Sequence, residues 1–167
     1  MSFKKVLFIG GIKSGKSRLA EEYILKHSNV KPIYLATNEF FDDEMHKKVS
    51  LHQQQRGNKF TTIEEPLFLS KRLLSAKQPV LVECISTWIN NMIYHKYSVE
   101  EIYAQVKELK DLQQDVVFVI NEVGQSVVSE NKLVREFVNI NGKVAQFLAL
   151  LCDEVYSVQA GIALKLK

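Results

Sequence analysis

The stretch from Gly10 to Ser17 constrains the fold of this chain more than any other. It reads Gly-Gly-Ile-Lys-Ser-Gly-Lys-Ser, which has the full Walker A spacing. Such a loop curls around a polyphosphate with its backbone N–H groups pointing inward, and glycine permits the close approach and the unusual dihedrals. Residues 6–9 form a short apolar run typical of a buried strand, and residues 18–26 have helical periodicity. This order predicts a phosphate-binding loop between a strand and a helix; the alternative is a glycine turn that binds nothing.

Two side chains at the end of this loop carry its predicted chemistry. Lys16 supplies a mobile positive charge for the outer phosphates, so we assign it a catalytic role. Ser17 begins a helix whose N-terminus favours anions, and its hydroxyl can ligate Mg²⁺. We therefore predict that the loop binds a nucleoside triphosphate together with Mg²⁺.

The composition indicates one domain spanning residues 1–167. A chain of this length buries roughly 70% of the surface that its unfolded form exposes, so it needs no disulfide or structural metal. The only two cysteines, Cys84 and Cys152, form no CxxC pair and suit buried free thiols in a reducing compartment. The sequence has no signal-peptide pattern and no apolar run of membrane-spanning length, so we expect a cytoplasmic protein with no membrane span. A net charge of +3 suits phosphorylated small molecules as well as nucleic acid, but the lysines are scattered, and we expect no nucleic-acid partner.

Strand and helix patterns alternate along the rest of the chain. This alternation predicts an α/β fold with a mainly parallel sheet, helices on both faces and a C-terminal hairpin at one edge. A kink or close packing is expected at Gly142, inside the longest helical pattern. The predicted strands are residues 32–37, 60–63, 80–84, 115–120, 154–159 and 162–166, and the predicted helices are 42–56, 67–75, 86–95, 99–113 and 130–152.

Three residues at predicted strand ends are candidates for the nucleotide site, because ligands bind at the carboxyl ends of parallel strands. Glu83 closes an apolar strand in a Walker B-like pattern and could hold Mg²⁺ directly or through water, or it could be an acid facing solvent. Glu122 follows another buried strand and is the rival catalytic carboxylate, or else a loop acid or helix cap. Thr37 either lies near the nucleotide or caps its own strand.

His52 has a basic setting on its predicted helix. Lys48 lies four residues before it and Arg56 four residues after it, so the three share one helix face. Flanking positive charge disfavours the imidazolium form, which would leave a neutral ring nitrogen able to attack a phosphorus atom. The alternative is an ordinary solvated helix face.

Five ordered blocks of this sequence resemble the bifunctional adenosylcobinamide kinase/adenosylcobinamide-phosphate guanylyltransferases. They are residues 10–17, residues 34–37, Asp42-Asp43-Glu44-Met45 with His52 and Arg56, residues 83–88, and Asn121-Glu122-Val123-Gly124. Further matches follow in the last third, at Glu130, Asn131, Arg135, Phe137, Gly142, Gln146 and residues 153–155. The likeness therefore spans nearly the whole chain.

The resemblance implies two reactions in cobalamin assembly and salvage. First, a nucleoside triphosphate (ATP or GTP) phosphorylates the aminopropanol hydroxyl of adenosylcobinamide, a corrinoid. Then GTP transfers GMP to that phosphate through a covalent guanylyl-histidine, which the resemblance places at His52. Two alternatives are a guanylyltransferase that has lost the kinase reaction and a nucleotide-binding switch without catalysis.

The resemblance also implies a RecA-like P-loop domain, the cofactors GTP, ATP and Mg²⁺, and assembly into trimers. Mg²⁺ would be held by Ser17 and Glu83. The nucleotide-contacting positions that it implies are Gly10, Gly11, Ile12, Lys13, Ser14, Gly15, Lys16, Ser17, Ala36, Thr37, Asn38, Gln53, Gln54, Gln55, Arg56, Glu64 and Glu83.

Overall fold

The computed structural model describes residues 4–39 and 57–167. The predicted helix over 42–56, with His52, lies outside the described residues. The strands are β1 (Lys5–Gly10), β2 (Ile33–Ala36), β3 (Thr61–Glu64), β4 (Val80–Glu83), β5 (Val116–Asn121), β6 (Glu154–Gln159) and β7 (Ile162–Lys165). The helices are α1 (Lys16–His27), α2 (Leu69–Ser75), α3 (Ile85–Tyr94), α4 (Val99–Glu108) and α5 (Lys132–Leu151).

These strands form one sheet in the order β3-β2-β4-β5-β1-β6-β7. Strands β1 to β6 pair in parallel, and only β7 runs antiparallel, against β6. The mainly parallel sheet and the edge hairpin are therefore confirmed. Because the strands are parallel, the carboxyl ends of β1, β2, β4 and β5 all lie along the same end of the sheet, which we call the carboxyl edge.

The core has two layers, one on each face of the sheet. Alternate residues of a strand point to opposite faces, so Leu7 packs with one layer while Val6 and Phe8 pack with the other. Helix α1 covers the second face through Ala20 and Ile24, whereas α2 to α5 cover the first. Helices on both faces are therefore confirmed.

Two helical predictions need correction. The helix predicted over 99–113 ends at Glu108 and continues only as a 3₁₀ turn over Leu109–Asp111; its start is fixed by a capping box between Ser98 and Glu101. At Gly142 the expected close packing is wrong. A Cβ at this position meets no described atom within 4 Å, and α5 continues through the glycine from Lys132 to Leu151.

Cys84 and Cys152 are buried free thiols, as predicted. Burial raises the pKa of both, that of Cys152 to about 12, so both stay protonated at neutral pH. Among residues 4–39 and 57–167, no helix has the length and hydropathy that a membrane crossing requires.

Candidate active site

The loop from Gly10 to Ser17 joins β1 to α1 at the carboxyl edge. Gly15 has a φ of 93°, in the left-handed region that glycine favours, and is the N-cap of α1. Gly10 has no room for a side chain, because a Cβ there would lie 2.5 Å from the carbonyl oxygen of Val158. The Ser14 side chain is buried, and its Oγ has no hydrogen-bond partner in the described part of the chain. An unused buried hydroxyl inside such a loop suits a ligand that accepts hydrogen bonds.

The turn of the C-terminal hairpin supports this loop from one side. The N–H of Gly161 donates to the carbonyl oxygen of Ser14 at 2.7 Å. A Cβ on Gly15 would lie only 3.1 Å from the Cα of Gly161. The sequence predicted this hairpin at the sheet edge but gave no sign of its contact with the loop, because the contact joins residues 147 positions apart through backbone atoms.

Lys16 and Ser17 occupy the first turn of α1. The Lys16 side chain is mostly buried, with the residue 8% exposed, and its Nζ donates to the carbonyl oxygen of Gly11 at 3.3 Å. The ammonium group is therefore held across the loop, where it can pair with a phosphate. The catalytic role of Lys16 stays a prediction.

Glu83, at the end of β4, reaches the start of α1. The Ser17 Oγ donates to Glu83 Oε1 at 2.7 Å, a short charge-assisted hydrogen bond. The structure thus joins the two residues that the sequence nominated for Mg²⁺. Mg²⁺ prefers hard oxygen donors. In nucleotide sites it usually binds one or two protein carboxylates together with the substrate phosphates. The donor set therefore fits the predicted ion.

In the described part of the chain, no group of three or more His, Cys, Asp or Glu side chains could hold a metal ion by itself. A site built from Ser17, Glu83 and nucleotide phosphates does not require such a cluster, since Mg²⁺ usually keeps waters and binds through one or two carboxylates.

Thr37 fixes the strand end that carries Glu83. Its fully buried hydroxyl accepts from the N–H of Cys84 at 2.9 Å and donates towards the carbonyl oxygens of Cys84, at 2.8 Å, and Glu83, at 3.2 Å. The side-chain amide of Asn91 donates to the carbonyl oxygen of Thr37 at 2.6 Å. These contacts favour the strand-cap alternative for Thr37, and they make it a positioning residue for Glu83.

Three predicted positions form a row across the carboxyl edge. Ala36 is in register with Glu64 of β3 on one side and with Glu83 of β4 on the other. Asn38 follows Thr37 and is half-buried. Gln53, Gln54, Gln55, Arg56 and the candidate nucleophile His52 lie outside the described residues, so their predicted roles stay predictions.

Glu122 follows the end of β5, the strand that lies between β1 and β4. Its N–H donates to the carbonyl oxygen of Gly10 at 2.9 Å, and its carboxylate accepts from the N–H of Gly124 at 2.6 Å. Residues of the loop, of segment 122–126 and of the β6–β7 hairpin line a cavity of about 840 Å³. Glu122 therefore borders the loop cavity while stabilising the turn that follows it, whereas Glu83 contacts Ser17 directly.

A buried polar cluster that the sequence did not predict supports the end of β5. The Ser86 hydroxyl donates to the side-chain oxygen of Asn141 at 2.7 Å and accepts from the N–H of Asn121 at 2.9 Å. The Asn141 amide donates to the carbonyl oxygen of Asn121 at 3.0 Å. This cluster joins α3, α5 and β5 just before Glu122.

His95, which had no distinctive setting in the sequence, pairs with Glu39. Its Nε2 lies 2.8 and 2.9 Å from the two carboxylate oxygens. The contact ties the end of α3 to the last described residue before segment 40–56.

The fold and this loop define a P-loop NTPase domain of the RecA-like type. Solved structures share the fold at low sequence identity. The flagellar accessory protein FlaH from Methanocaldococcus jannaschii matches 98% of this chain and 78% of its own, with a TM-score of 0.50 at 14% identity. An ATPase from the type III secretion system of pathogenic bacteria matches 97% of this chain and 56% of its own, with a TM-score of 0.51 at 10% identity.

Sequence comparison specifies the family. The family model described as cobinamide kinase / cobinamide phosphate guanyltransferase (CobU) matches residues 6–166. The bifunctional adenosylcobalamin biosynthesis protein CobU of Escherichia coli is 34% identical over 97% of this chain and 99% of its own length. The corresponding protein CobP of Pseudomonas aeruginosa is 34% identical over 96% of both chains. The chain belongs to the cobinamide kinase / cobinamide phosphate guanyltransferase family.

Proposed function

We propose that this enzyme carries out both family reactions, phosphorylating adenosylcobinamide and then transferring GMP to the phosphate to give adenosylcobinamide-GDP. The observation that carries the proposal is the Ser17–Glu83 hydrogen bond, because it places an acid and a hydroxyl together beside the phosphate loop. Full-length membership of the family supplies the substrate class.

In the kinase step, the aminopropanol hydroxyl attacks the γ-phosphorus of ATP or GTP and loses its proton, while the nucleoside diphosphate leaves. Lys16 pairs with the outer phosphates, and the loop N–H groups orient them. Ser17 and Glu83 would hold Mg²⁺, which neutralises charge on the phosphates. Glu122, which lines the cavity beside the loop, is a second carboxylate near this step.

In the guanylyl-transfer step, a ring nitrogen of His52 attacks the α-phosphorus of GTP and pyrophosphate leaves. A phosphate oxygen of adenosylcobinamide phosphate then attacks the same phosphorus, and the histidine nitrogen leaves as a neutral imidazole. The step requires an unprotonated ring nitrogen, an anchored triphosphate and a good leaving group. The basic residues that the sequence places beside His52 support this role.

The two reactions are tested separately with purified protein. With γ-labelled ATP or GTP, Mg²⁺ and adenosylcobinamide, we expect label to move to the corrinoid. With unlabelled adenosylcobinamide phosphate and GTP, we expect equal amounts of pyrophosphate and adenosylcobinamide-GDP. Guanylyl transfer without phosphorylation would leave only a guanylyltransferase. Tight GTP binding with neither product would indicate a nucleotide switch instead.

The proposal includes a homotrimer, as the family resemblance implies. Light scattering coupled to size exclusion would give three times the mass of the 19.2 kDa chain. A monomeric mass in the active preparation would reject this part alone.

A further inference from the structure

A groove of about 890 Å³ runs between α4 and α5, apart from the phosphate loop. The nucleotide roles described above use none of its lining residues. Its volume is in the range of sites for sizeable small molecules. Nucleotide binding therefore does not account for this groove.

Gly142 lines this groove in the interior of α5. Glycine is less favourable than alanine inside a helix. Its φ is not positive, so the backbone does not require glycine here. A Cβ at this position would meet no atom of residues 4–39 or 57–167 within 4 Å. Nothing in the described part of the chain requires glycine at this position. A surface that must stay open for another molecule would require it.

The groove combines an apolar wall with amide and cationic side chains. Val99 and Tyr103 of α4 face the groove from one side, and Asn139 and Gln146 of α5 contribute amides. Lys132, Arg135 and Lys143 give it three cations against the single carboxylate of Glu136. This mixture fits a large ligand that has an apolar body, a rim of hydrogen-bonding amides and a negative group.

The cationic end of the groove connects to the loop that follows Glu122. Helix α5 begins at Lys132, after β5 has ended at the carboxyl edge. Arg135 Nη1 donates to the carbonyl oxygens of Ser129, at 2.8 Å, and Glu130, at 2.7 Å. The N-terminus of α5 adds a partial positive charge at the same end.

We propose that this groove binds the corrinoid substrate, with its amide-bearing macrocycle along α4 and α5 and its phosphorylated arm towards Lys132. The corrin ring offers a broad apolar face and peripheral primary amides, and its phosphate is the group that must reach the nucleotide. The identity of the ligand rests on the proposed function.

The test measures corrinoid affinity directly, by equilibrium dialysis read through the corrinoid's visible absorbance. Gly142→Leu puts a side chain into the groove at a position where a Cβ meets no described atom within 4 Å, and Ala104→Leu, on an exposed position of α4 outside the groove, is the matched control. We expect Gly142→Leu to raise the Kd for adenosylcobinamide at least about tenfold and Ala104→Leu to leave it unchanged. An unchanged Kd in Gly142→Leu would overturn the proposal, as would a Gly142→Leu variant that changes the oligomer mass, since the groove would then be a contact between copies.

A charge variant tests the orientation. Lys132→Glu should raise the Kd for adenosylcobinamide phosphate several-fold more than the Kd for adenosylcobinamide, and the new carboxylate suits the first turn of a helix. Equal effects on both ligands, or none, would contradict a phosphate at this end. Protein labelling by α-labelled GTP serves as a separate reading, because it requires no corrinoid. If the unmodified enzyme is not labelled, the proposed guanylyl transfer is rejected. Dialysis would still measure whether the groove binds the corrinoid.

Discussion

The Ser17 hydroxyl donates to the Glu83 carboxylate at 2.7 Å, although the two residues are 66 positions apart in the chain. Ser17 lies in α1, which follows β1, and β1 is not adjacent to the strand of Glu83, because β5 lies between β1 and β4. The contact is possible because parallel strands bring their carboxyl ends to one edge, where α1 starts beside the end of β4. This hydrogen bond joins the end of the phosphate loop to the carboxylate at the end of β4.

Glu83→Gln should impair both reactions, since the amide is neutral and a weaker ligand for a divalent cation. We expect kcat to fall roughly 10- to 100-fold and the Mg²⁺ concentration for half-maximal rate to rise. Rates measured over a Mg²⁺ titration check this. Glu122→Gln is the companion variant; if only that variant changes the Mg²⁺ requirement, the assignment of the metal to Glu83 is wrong.

Thr37→Val keeps the shape of the side chain but leaves the Cys84 N–H without its acceptor. We expect it to lower the free energy of unfolding by about 1–3 kcal/mol and to weaken the Mg²⁺ response through Glu83. Thr37→Ser, which retains the hydroxyl, should restore most of that response. Denaturant melts and Mg²⁺ titrations measure the two effects. A valine variant that only loses stability would reduce Thr37 to a structural role.

Gly10→Ala and Gly11→Ala form a matched pair within the loop. A Cβ at Gly10 meets the carbonyl oxygen of Val158 at 2.5 Å, whereas one at Gly11 meets nothing in the described part of the chain within 4 Å. We expect Gly10→Ala to cost about 1–3 kcal/mol and to weaken GTP binding, with much smaller effects for Gly11→Ala. Thermal melts with and without GTP compare the variants. Equal losses would mean that the loop does not pack against β6 as described.

Glu154 should make stability depend on acid pH. Burial raises its pKa, but hydrogen bonds from Lys4, Tyr156 and Tyr23 outweigh burial and lower it to about 2. Since the folded value lies below the ordinary one of 4.5, its contribution is complete above about pH 4.5 and is lost as the pH falls towards 2.

Glu154→Gln should therefore destabilise the protein by roughly 1–2 kcal/mol at pH 7, and the difference from the unmodified protein should shrink between pH 4.5 and 2. Urea unfolding at several pH values measures it. A difference that stays constant down to pH 2 would contradict the lowered pKa.

The sequence predicted most of the fold because its local signals agree. The apolar runs and the loop motif fixed the parallel strands, and the Ala160-Gly161 turn located the edge hairpin. The predicted end of α4 was wrong because the local pattern does not decide it. Charged periodicity continues past Glu108, but the α-helix is followed there by a 3₁₀ turn over Leu109–Asp111. The close packing predicted at Gly142 was wrong for another reason, because this residue lines an open groove and not a packed core.

The site was predicted in part. Ser17 and Glu83 were nominated separately, and only the sheet order brings them together. The Ser86–Asn121–Asn141 cluster and the support of the loop by Gly161 gave no signal, because each depends on contacts between distant positions, several of them through the backbone. Thr37 was predicted at a strand end, and its hydroxyl forms hydrogen bonds with the backbone of Glu83 and Cys84.

We propose that His52 carries GMP between GTP and the corrinoid, and protein labelling is the decisive measurement of this role. Incubation with α-labelled GTP and Mg²⁺, without corrinoid, should give label on the protein that is acid-labile and base-stable, as expected for a phosphorus–nitrogen bond. His52→Ala should abolish the label while preserving phosphorylation of adenosylcobinamide, and His46→Ala should keep the label. Label that persists in His52→Ala, or no label on the unmodified protein, would rule out this role for His52.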